Sequence, residues 1–499
     1  MTADDNNTYN EPRPETSADA RASADQIRPL CVDLDGTLIQ TDLLWESLFV
    51  LLGRRPLLIF LIPWWIMWGK ARFKAKVAAR VTIDAETLPY RQHVLDFVRQ
   101  QKVKGRRLVL ATASHQKLAN CVATHLGLFD DVIATDANFN CRGVEKLQAL
   151  EAILGNSGFD YIGDSKADFP IWREAVEALI VGRNQGVVAG LERIKTPSRV
   201  FECEREGLKA IIRLLRPHQW IKNTLLFLPI FLSHQLGNFS AIASALVGFV
   251  SLSLCASATY ILNDLTDVST DRRHPRKRTR PLAAGSISIP LALIACTTLL
   301  AMGIVGASVI GSSALAGMTA LYVLLTTSYS YYFKRKLFAD VLLLAGLYVF
   351  RILMGGVATG VPISEWLLAF SAFFFMSLAF AKRTCELRGT EEGQENPNRN
   401  YRVSDIALLG NLGPTCGYLA VLVLALYIND EASRELYISP SLLWLVCPLL
   451  LYWITRIWFL AHRDELDDDP VLFALKDPHS YLVGLLCGVV LILATTGLP

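Results

Sequence analysis

Nine long apolar runs in the second part of the chain limit what it can fold into. They fall at roughly 219–235, 240–262, 288–310, 313–332, 338–358, 364–381, 408–428, 440–461 and 480–498. Each approaches the ~20 residues an α-helix needs to cross the ~30 Å hydrocarbon core of a bilayer. There, every backbone N–H and C=O must be satisfied inside the segment, so runs of this length read as membrane helices. The basic connections 263–287, Phe333–Lys336 and Lys382–Arg402 recur two spans apart, while the intervening loops carry few charges. By the positive-inside tendency all three face the cytoplasm. Residues 1–26 are polar and acidic and lack a signal-peptide pattern, which puts the N-terminal part on the same side. The expectation is a multi-pass cytoplasmic (inner) membrane protein.

Hydrophobic types make up 52% of the 499 residues and charged types 19%, which excludes a disordered or fibrous chain. A net charge of +3 makes no case for a nucleic acid partner. These averages join unlike parts: a disordered tail over 1–26, a soluble α/β domain over 27–195, a linker over 196–212 and an all-α membrane domain over 213–499. The ten cysteines are scattered with no CxxC pair or Cys/His cluster, so they read as reduced.

In the soluble part, the strands Pro29–Asp33, Arg107–Thr112 and Phe159–Gly163 each end in a polar residue or Gly and lead into a helical pattern. That alternation indicates a parallel sheet with its sites at the strand C-termini. A cap segment over 43–75 contains Leu57–Trp68, which is too short to span a bilayer and is interrupted by Pro63. Arg54, Arg55, Lys70, Arg72, Lys74 and Lys76 flank it, and Trp64, Trp65 and Trp68 suit headgroup depth. It reads as a membrane-surface foot, with a buried cap helix as the alternative.

Asp33-Leu34-Asp35-Gly36-Thr37 closes the first strand, and Thr112, then Gly143 with Lys146, then Gly163-Asp164-Ser165-Lys166-Ala167-Asp168 follow in order over about 135 residues. This set resembles the haloacid dehalogenase superfamily of phosphohydrolases. The resemblance implies a Rossmannoid domain in which Asp33 attacks phosphorus and Asp35 protonates the leaving oxygen and then activates water. Thr112 would bind phosphate and Lys146 neutralise it. Asp33, the Asp35 carbonyl, Asp164 and Asp168 would hold one Mg²⁺ through hard oxygen ligands. His115 and Lys166 read as solvated positions.

After the second membrane span comes Asn263-Asp264-Leu265-Thr266-Asp267-Val268-Ser269-Thr270-Asp271. Asp264, Asp267 and Asp271 repeat at i, i+3 and i+7, so a helix aligns them on one face. Three such acids repel unless a divalent cation joins them, and at a membrane mouth the fitting cargo is a Mg-held diphosphate. Arg272, Arg273, Arg276, Lys277, Arg278 and Arg280 follow, before Pro281–Gly285. Cations there offset charge developing on a leaving group.

These features resemble the UbiA superfamily of intramembrane prenyltransferases over about 213–498. The decaprenyl-phosphate phosphoribosyltransferase branch is the nearest, through Arg216-Pro217-His218-Gln219-Trp220-Ile221-Lys222-Asn223, the 263–285 block, Asp340-Val341 with Tyr348 and Arg351, and Lys382-Arg383 with Glu386. The resemblance implies catalytic and metal roles for Asp264, Asp267 and Asp271, with one or more Mg²⁺. It implies substrate contacts for Lys222, Asn223, Asn263, Arg272, Arg278, Arg280, Asp340, Arg351, Lys382, Arg383 and Glu386. A helix-capping role for Asp340, and mere positive-inside bias for Lys382 and Arg383, stay open. Aromatic prenyltransferases carry a second acidic motif after the sixth span, where this chain has Ala381-Lys382-Arg383-Thr384-Cys385-Glu386. One acidic and one basic motif suit one Mg-diphosphate and one further anion.

The expected activity has two steps. Phosphoribose passes from phosphoribosyl diphosphate to a polyprenyl phosphate with release of diphosphate, and the phosphatase part removes the 5-phosphate, both sites lying on the cytoplasmic side. The rival is an Mg-dependent prenyltransferase joining a prenyl diphosphate to an aromatic or quinone precursor, beside an independent phosphatase. An ion pump is a remote third: pumps have Lys at the position of Asp35 and place the phosphorylated domain between spans. Isoprenoid length and oligomeric state, a homo-oligomer included, are left open.

Overall fold

Among the described residues six short strands, β1 (Leu30–Val32), β2 (Leu108–His115), β3 (Asp131–Thr135), β4 (Asp160–Gly163), β5 (Ala178–Val181) and β6 (Arg199–Phe201), form one sheet in the order β3-β2-β1-β4-β5-β6. Every pairing is parallel, with Cys31 opposite Val109 on one side and Tyr161 on the other. The two-residue period of a strand then sorts the side chains. Leu30, Val32, Leu108, Leu110, Ile162 and Leu179 enter one core, and Cys31, Val109, Tyr161 and Ile180 enter the core on the opposite face. From β1 the chain builds outward through β2 and β3, then returns to place β4 on the other side of β1. That reversal opens a crevice at the C-terminal ends of β1 and β4, where Asp33 and Asp164 stand.

The computed structural model describes residues 28–155, 158–182, 184–202, 207–388, 400–431, 436–466 and 469–496; the tail expected over 1–26 lies outside them. The strands expected from sequence are β1, β2 and β4. Strands β3, β5 and β6 are five, four and three residues long, too short for a periodic signal, and unlike the equally short β1 and β4 they run into no motif that would mark them. β6 lies in the stretch expected as linker, so the sheet continues past residue 195. The described cysteines are all free.

The cap consists of helix Leu43–Arg54, a 3₁₀ turn Pro56–Leu61, and helices Ile62–Met67 and Lys70–Ala79. Trp65 turns inward against Leu48, Leu51, Phe73 and Val77, while Trp64 and Trp68 face outward. The segment therefore has one side packed into the cap and one side left exposed.

The chain divides into two compact units. One runs to Leu214 and takes in Asp264–Leu293; the other comprises Leu215–Asn263 and the chain from Ile294 onward. The Asp264–Leu293 stretch, expected as part of the membrane domain, packs with the phosphatase-like domain. Gly285 shows why: its φ is +75°, and a Cβ there would lie 2.7 Å from the Cβ of Gln40. Arg273 also donates to Asp84 at 2.7 Å.

Among the described residues, seven helices are long and apolar enough to cross a membrane: Phe239–Arg273, Ile289–Gly311, Ala339–Thr359, Glu365–Arg388, Val403–Asn429, Pro440–His462 and Pro478–Thr496. The other two expected spans take different forms. Ser313–Tyr331 is a 19-residue helix diluted by Thr326, Thr327, Ser328 and Ser330. The run near 219–235 is broken into a 3₁₀ stretch, Pro217–Phe227, and a short helix, Leu228–Leu232, each opened by a proline. Small residues permit the closest helix contacts in this unit. A Cβ on Gly413 would sit 1.8 Å from the Trp458 ring, and one on Gly355 would sit 2.2 Å from the Leu226 carbonyl oxygen.

Candidate active sites

The first site is assembled at the β1/β4 crevice. Lys146, buried on helix Val144–Leu154, donates to Asp33 Oδ1 at 2.9 Å and to the Tyr161 hydroxyl at 2.9 Å. Tyr161 passes a hydrogen bond on to Asp168 Oδ1 at 2.8 Å, and Ser165 donates to Asp168 Oδ2 from both N–H and hydroxyl, at 3.0 and 2.9 Å. Asp35 points the other way: Oδ1 accepts from Leu43 N–H at 2.9 Å, and Oδ2 from Ser114 at 2.7 Å and Thr112 at 3.2 Å. Gly36, at φ +80°, lets the chain turn between these groups. A Cβ there would meet Asp164 Oδ2 at 2.3 Å.

Burial pushes the Asp33 carboxyl up to about 7; the Lys146 ammonium opposes the rise, and Asp168 and Asp35 add to it. Burial, helped by Asp42, likewise pushes Asp35 up to about 7 against its three hydrogen bonds. A carboxyl near 7 is suited to give and take protons at neutral pH. For Lys146, burial works against the charge, yet Asp33 and Asp168 outweigh it and hold its pKa above the usual lysine value.

Carboxylate oxygens of Asp33, Asp164 and Asp168 lie within 4.8 Å of one another. Three hard anionic donors around one point fit Mg²⁺, and a cation there would favour their ionised forms. All six phosphatase residues expected from sequence thus come together. Tyr161, Ser114 and Ser165 were missed, because nothing about a strand tyrosine or a serine beyond a strand end marks it from afar.

In the acidic motif, Arg280 Nη1 donates to Asp264 at 3.1 Å and to Asp271 at 2.6 Å, so residues seven apart do share a face. Asp267 and Asn263 are half-buried and Arg278 is exposed. Among the described residues the only tight three-carboxylate group is that of the phosphatase-like site; here a guanidinium joins two of the acids. Arg272, expected at substrate, is engaged elsewhere. It donates in parallel to Glu46 at 2.6 and 2.9 Å and, through Nε, to the Ala283 carbonyl at 2.9 Å.

In the other unit, Lys222 pairs with Asp469, and Lys382 approaches the same carboxylate at 3.9 Å. Asp469 caps helix Pro470–Ala474 and was not anticipated; its signal is the acid immediately before Pro470. Arg351 donates to Asn223 at 2.9 Å and to the Tyr322 hydroxyl at 3.1 Å, and lies 5.3 Å from the Tyr322 and Tyr348 ring centres. Asp340 and Arg383 are fully buried together. Arg383 donates to Asp340 at 2.6 Å, Glu386 at 2.6 Å and Tyr329 at 2.9 Å, while Tyr401 donates to Asp340 at 2.6 Å. Each nitrogen of that guanidinium thus makes one of these bonds, and the second N–H of each Nη is left over from them.

Fold and sites define an α/β phosphohydrolase-type domain joined to a helical membrane domain with its own acidic and basic clusters. Residues 224–394 match the UbiA prenyltransferase family and residues 30–173 match haloacid dehalogenase-like hydrolase. The chain belongs to the UbiA prenyltransferase family and carries a haloacid dehalogenase-like domain ahead of it; both families work with Mg²⁺. It is similar to uncharacterized protein y4nM of Sinorhizobium fredii, with 37% identity over 94% of this chain and 92% of that protein. It is similar to nodulation protein NoeC of Azorhizobium caulinodans, with 33% identity over 56% of this chain and 91% of that protein. Decaprenyl-phosphate phosphoribosyltransferase of Corynebacterium glutamicum is 35% identical over 36% of this chain and 54% of its own length.

Proposed function

We propose that the membrane domain transfers 5-phosphoribose from phosphoribosyl diphosphate to a polyprenyl phosphate, and that the phosphatase domain removes the 5-phosphate from the product. The observation that carries this reading is the gathering of Lys222 and Lys382 from separate elements onto one carboxylate, Asp469, with Lys382 in the stretch where aromatic prenyltransferases have their second acidic motif. Two ammonium groups suit a phosphate-bearing acceptor. Similarity to a decaprenyl-phosphate phosphoribosyltransferase supports the same choice.

In the transfer, an oxygen of the lipid phosphate forms a bond to C1 of the ribose as the C1–O bond to diphosphate breaks, and diphosphate leaves with that electron pair. Asp264, Asp267 and Asp271 are the residues to hold a Mg-diphosphate, the metal supplying charge neutralisation. Arg280, already at Asp264 and Asp271, is placed to offset the leaving charge. Lys222 and Lys382 bind the acceptor phosphate. Arg351 holds Asn223, which in turn donates to Ser253 at 3.0 Å, so this wall is set before substrate arrives.

In the phosphatase domain, Asp33 attacks phosphorus and Asp35 protonates the departing ribose oxygen. Asp35 then takes a proton from the water that hydrolyses the aspartyl-phosphate, releasing inorganic phosphate. Asp33, Asp164 and Asp168 would hold Mg²⁺, which neutralises phosphate charge when bound. Lys146 adds a second cation and keeps Asp33 oriented. The charge bias of the connecting loops supports a cytoplasmic location for both reactions.

Purified protein given a polyprenyl phosphate, radiolabelled phosphoribosyl diphosphate and Mg²⁺ tests both steps. Expected are a lipid-linked ribose product from the intact protein and a lipid-linked ribose 5-phosphate from Asp33→Asn. Label transfer only from a prenyl diphosphate to an aromatic acceptor would overturn the first step. An Asp33→Asn protein that still releases the 5-phosphate would overturn the second.

A further inference from the structure

The cap exposes an apolar face that phosphatase chemistry does not use. Leu57 is 77% exposed, Phe60 78%, Trp64 55% and Met67 77%, all within the stretch Pro56–Met67. The surface is built rather than frayed, because Trp65 plugs the same segment into the cap core beside Phe73 and Val77. Contiguous apolar patches of this kind mark a binding surface.

Charge says what covers it. Between Glu46 and Asp84 the sequence has seven Lys and Arg and no Asp or Glu. Arg54 and Arg55 precede the apolar stretch and Lys70 and Arg72 follow it, all exposed. Lys76 stands 3.2 Å from the Trp68 ring centre, a cation joined to an aromatic at the edge of the patch. Aliphatic and tryptophan side chains rimmed by cations alone match an anionic lipid surface, where the apolar tips enter the acyl boundary and the cations meet headgroup phosphates. A protein partner would ordinarily need some acids opposite its own cations. The apolar helices of this same chain already bring it to a bilayer.

The face is also wired to the phosphatase opening. Helix Lys70–Ala79, which leaves the foot, sends Lys74 to the Ala113 carbonyl at 2.6 Å and to Asn140 at 2.9 Å. Next to Ala113 is Ser114, whose hydroxyl binds Asp35. We propose that the exposed cap face lies in the headgroup layer of an anionic bilayer and holds the phosphatase opening there, so that this site takes phosphate esters borne on lipid. The docking stands on the surface itself; the choice of substrate rests on the phosphatase reading given above.

Full-length protein in nanodiscs containing a phosphatidylglycerol with a photoreactive acyl chain tests the docking. Adducts on the peptide covering Leu57–Trp68 are expected. They should fall about tenfold when Phe60→Asp, Trp64→Asp and Met67→Asp are combined, or when Lys70→Glu and Arg72→Glu remove the cationic rim, while adducts on helix Ala339–Thr359 persist. An unlabelled foot beside a labelled membrane helix, the outcome if a protein or a second copy covers the face, would overturn it. Hydrolysis assays test the substrate. The triple variant should lose about tenfold in apparent affinity for a vesicle-borne polyprenyl-phospho-ribose 5-phosphate and nothing on a soluble aryl phosphate. Equal loss on both would overturn the lipid preference. A wild-type protein inert on every phosphate ester would refute the phosphatase reading and leave the labelling to decide the docking.

Discussion

Glu46→Ala should cost this protein far more than the loss of one surface charge. Glu46 and Arg272, 226 residues apart, meet through two parallel hydrogen bonds of 2.6 and 2.9 Å, and each side chain is only 6% exposed. Removing one partner of a buried pair strands the other charge, at a cost of about 3–5 kcal/mol. Arg272 could then keep only its bond to the Ala283 carbonyl. In a folding unit of this size each kcal/mol moves the melting temperature by about 2–4 °C, so a fall of about 10 °C is expected. Intrinsic tryptophan fluorescence during heating in detergent would read it, and high salt should change the difference little because the pair is shielded from solvent. Glu46→Gln, which keeps the volume and one acceptor, should lose about half as much. Because Leu43 N–H binds Asp35 from the same helix, phosphatase turnover should fall with the helix. A loss below about 1 kcal/mol, as for exposed pairs, or a Glu46→Ala/Arg272→Ala double variant whose cost equals the sum of the singles, would refute the reasoning.

Three further outcomes are expected. Tyr161→Phe removes the hydroxyl between Lys146 and Asp168, so Mg²⁺ activation of phosphatase activity should need about 10–100-fold more metal, read by Mg²⁺ titration; an unchanged requirement would contradict the relay. Gly36→Ala places a methyl 2.3 Å from Asp164 Oδ2 at a positive φ, and phosphatase activity should disappear while the melting curve shows a folded protein. Gly413→Ala drives a methyl into the Trp458 ring and should destabilise the membrane unit by about 1–3 kcal/mol, visible as a lower melting temperature in detergent; no change would mean the two helices separate at little cost.

Much of the candidate phosphatase site was legible because its residues sit at strand ends, where a local motif and a local structure coincide. Asp33 and Asp35 leave β1, Thr112 lies in β2 and Asp164 follows β4, so naming the motifs also named the place where they meet. The membrane helices were legible for a comparable reason: lipid forces each span to satisfy its own backbone, and its composition records that locally. Strands β3, β5 and β6 were hidden because three to five residues fit a strand or a buried helix equally well, and no motif follows them as it does the equally short β1 and β4.

The sequence by itself marked two candidate sites, an aspartate pair at a strand end and an acidic helix face followed by a run of cations, together with the long apolar helices that make the second part a membrane domain. Tertiary structure alone decided how the cations were used. Arg272 went to Glu46, Arg383 to Asp340 and Tyr329, Lys222 and Lys382 to Asp469, and Arg280 to the acidic face itself. A guanidinium or ammonium group takes whichever carboxylate the fold brings within reach once water is excluded. These partners lie from nine to 247 residues away along the chain, a distance over which no local pattern carries information.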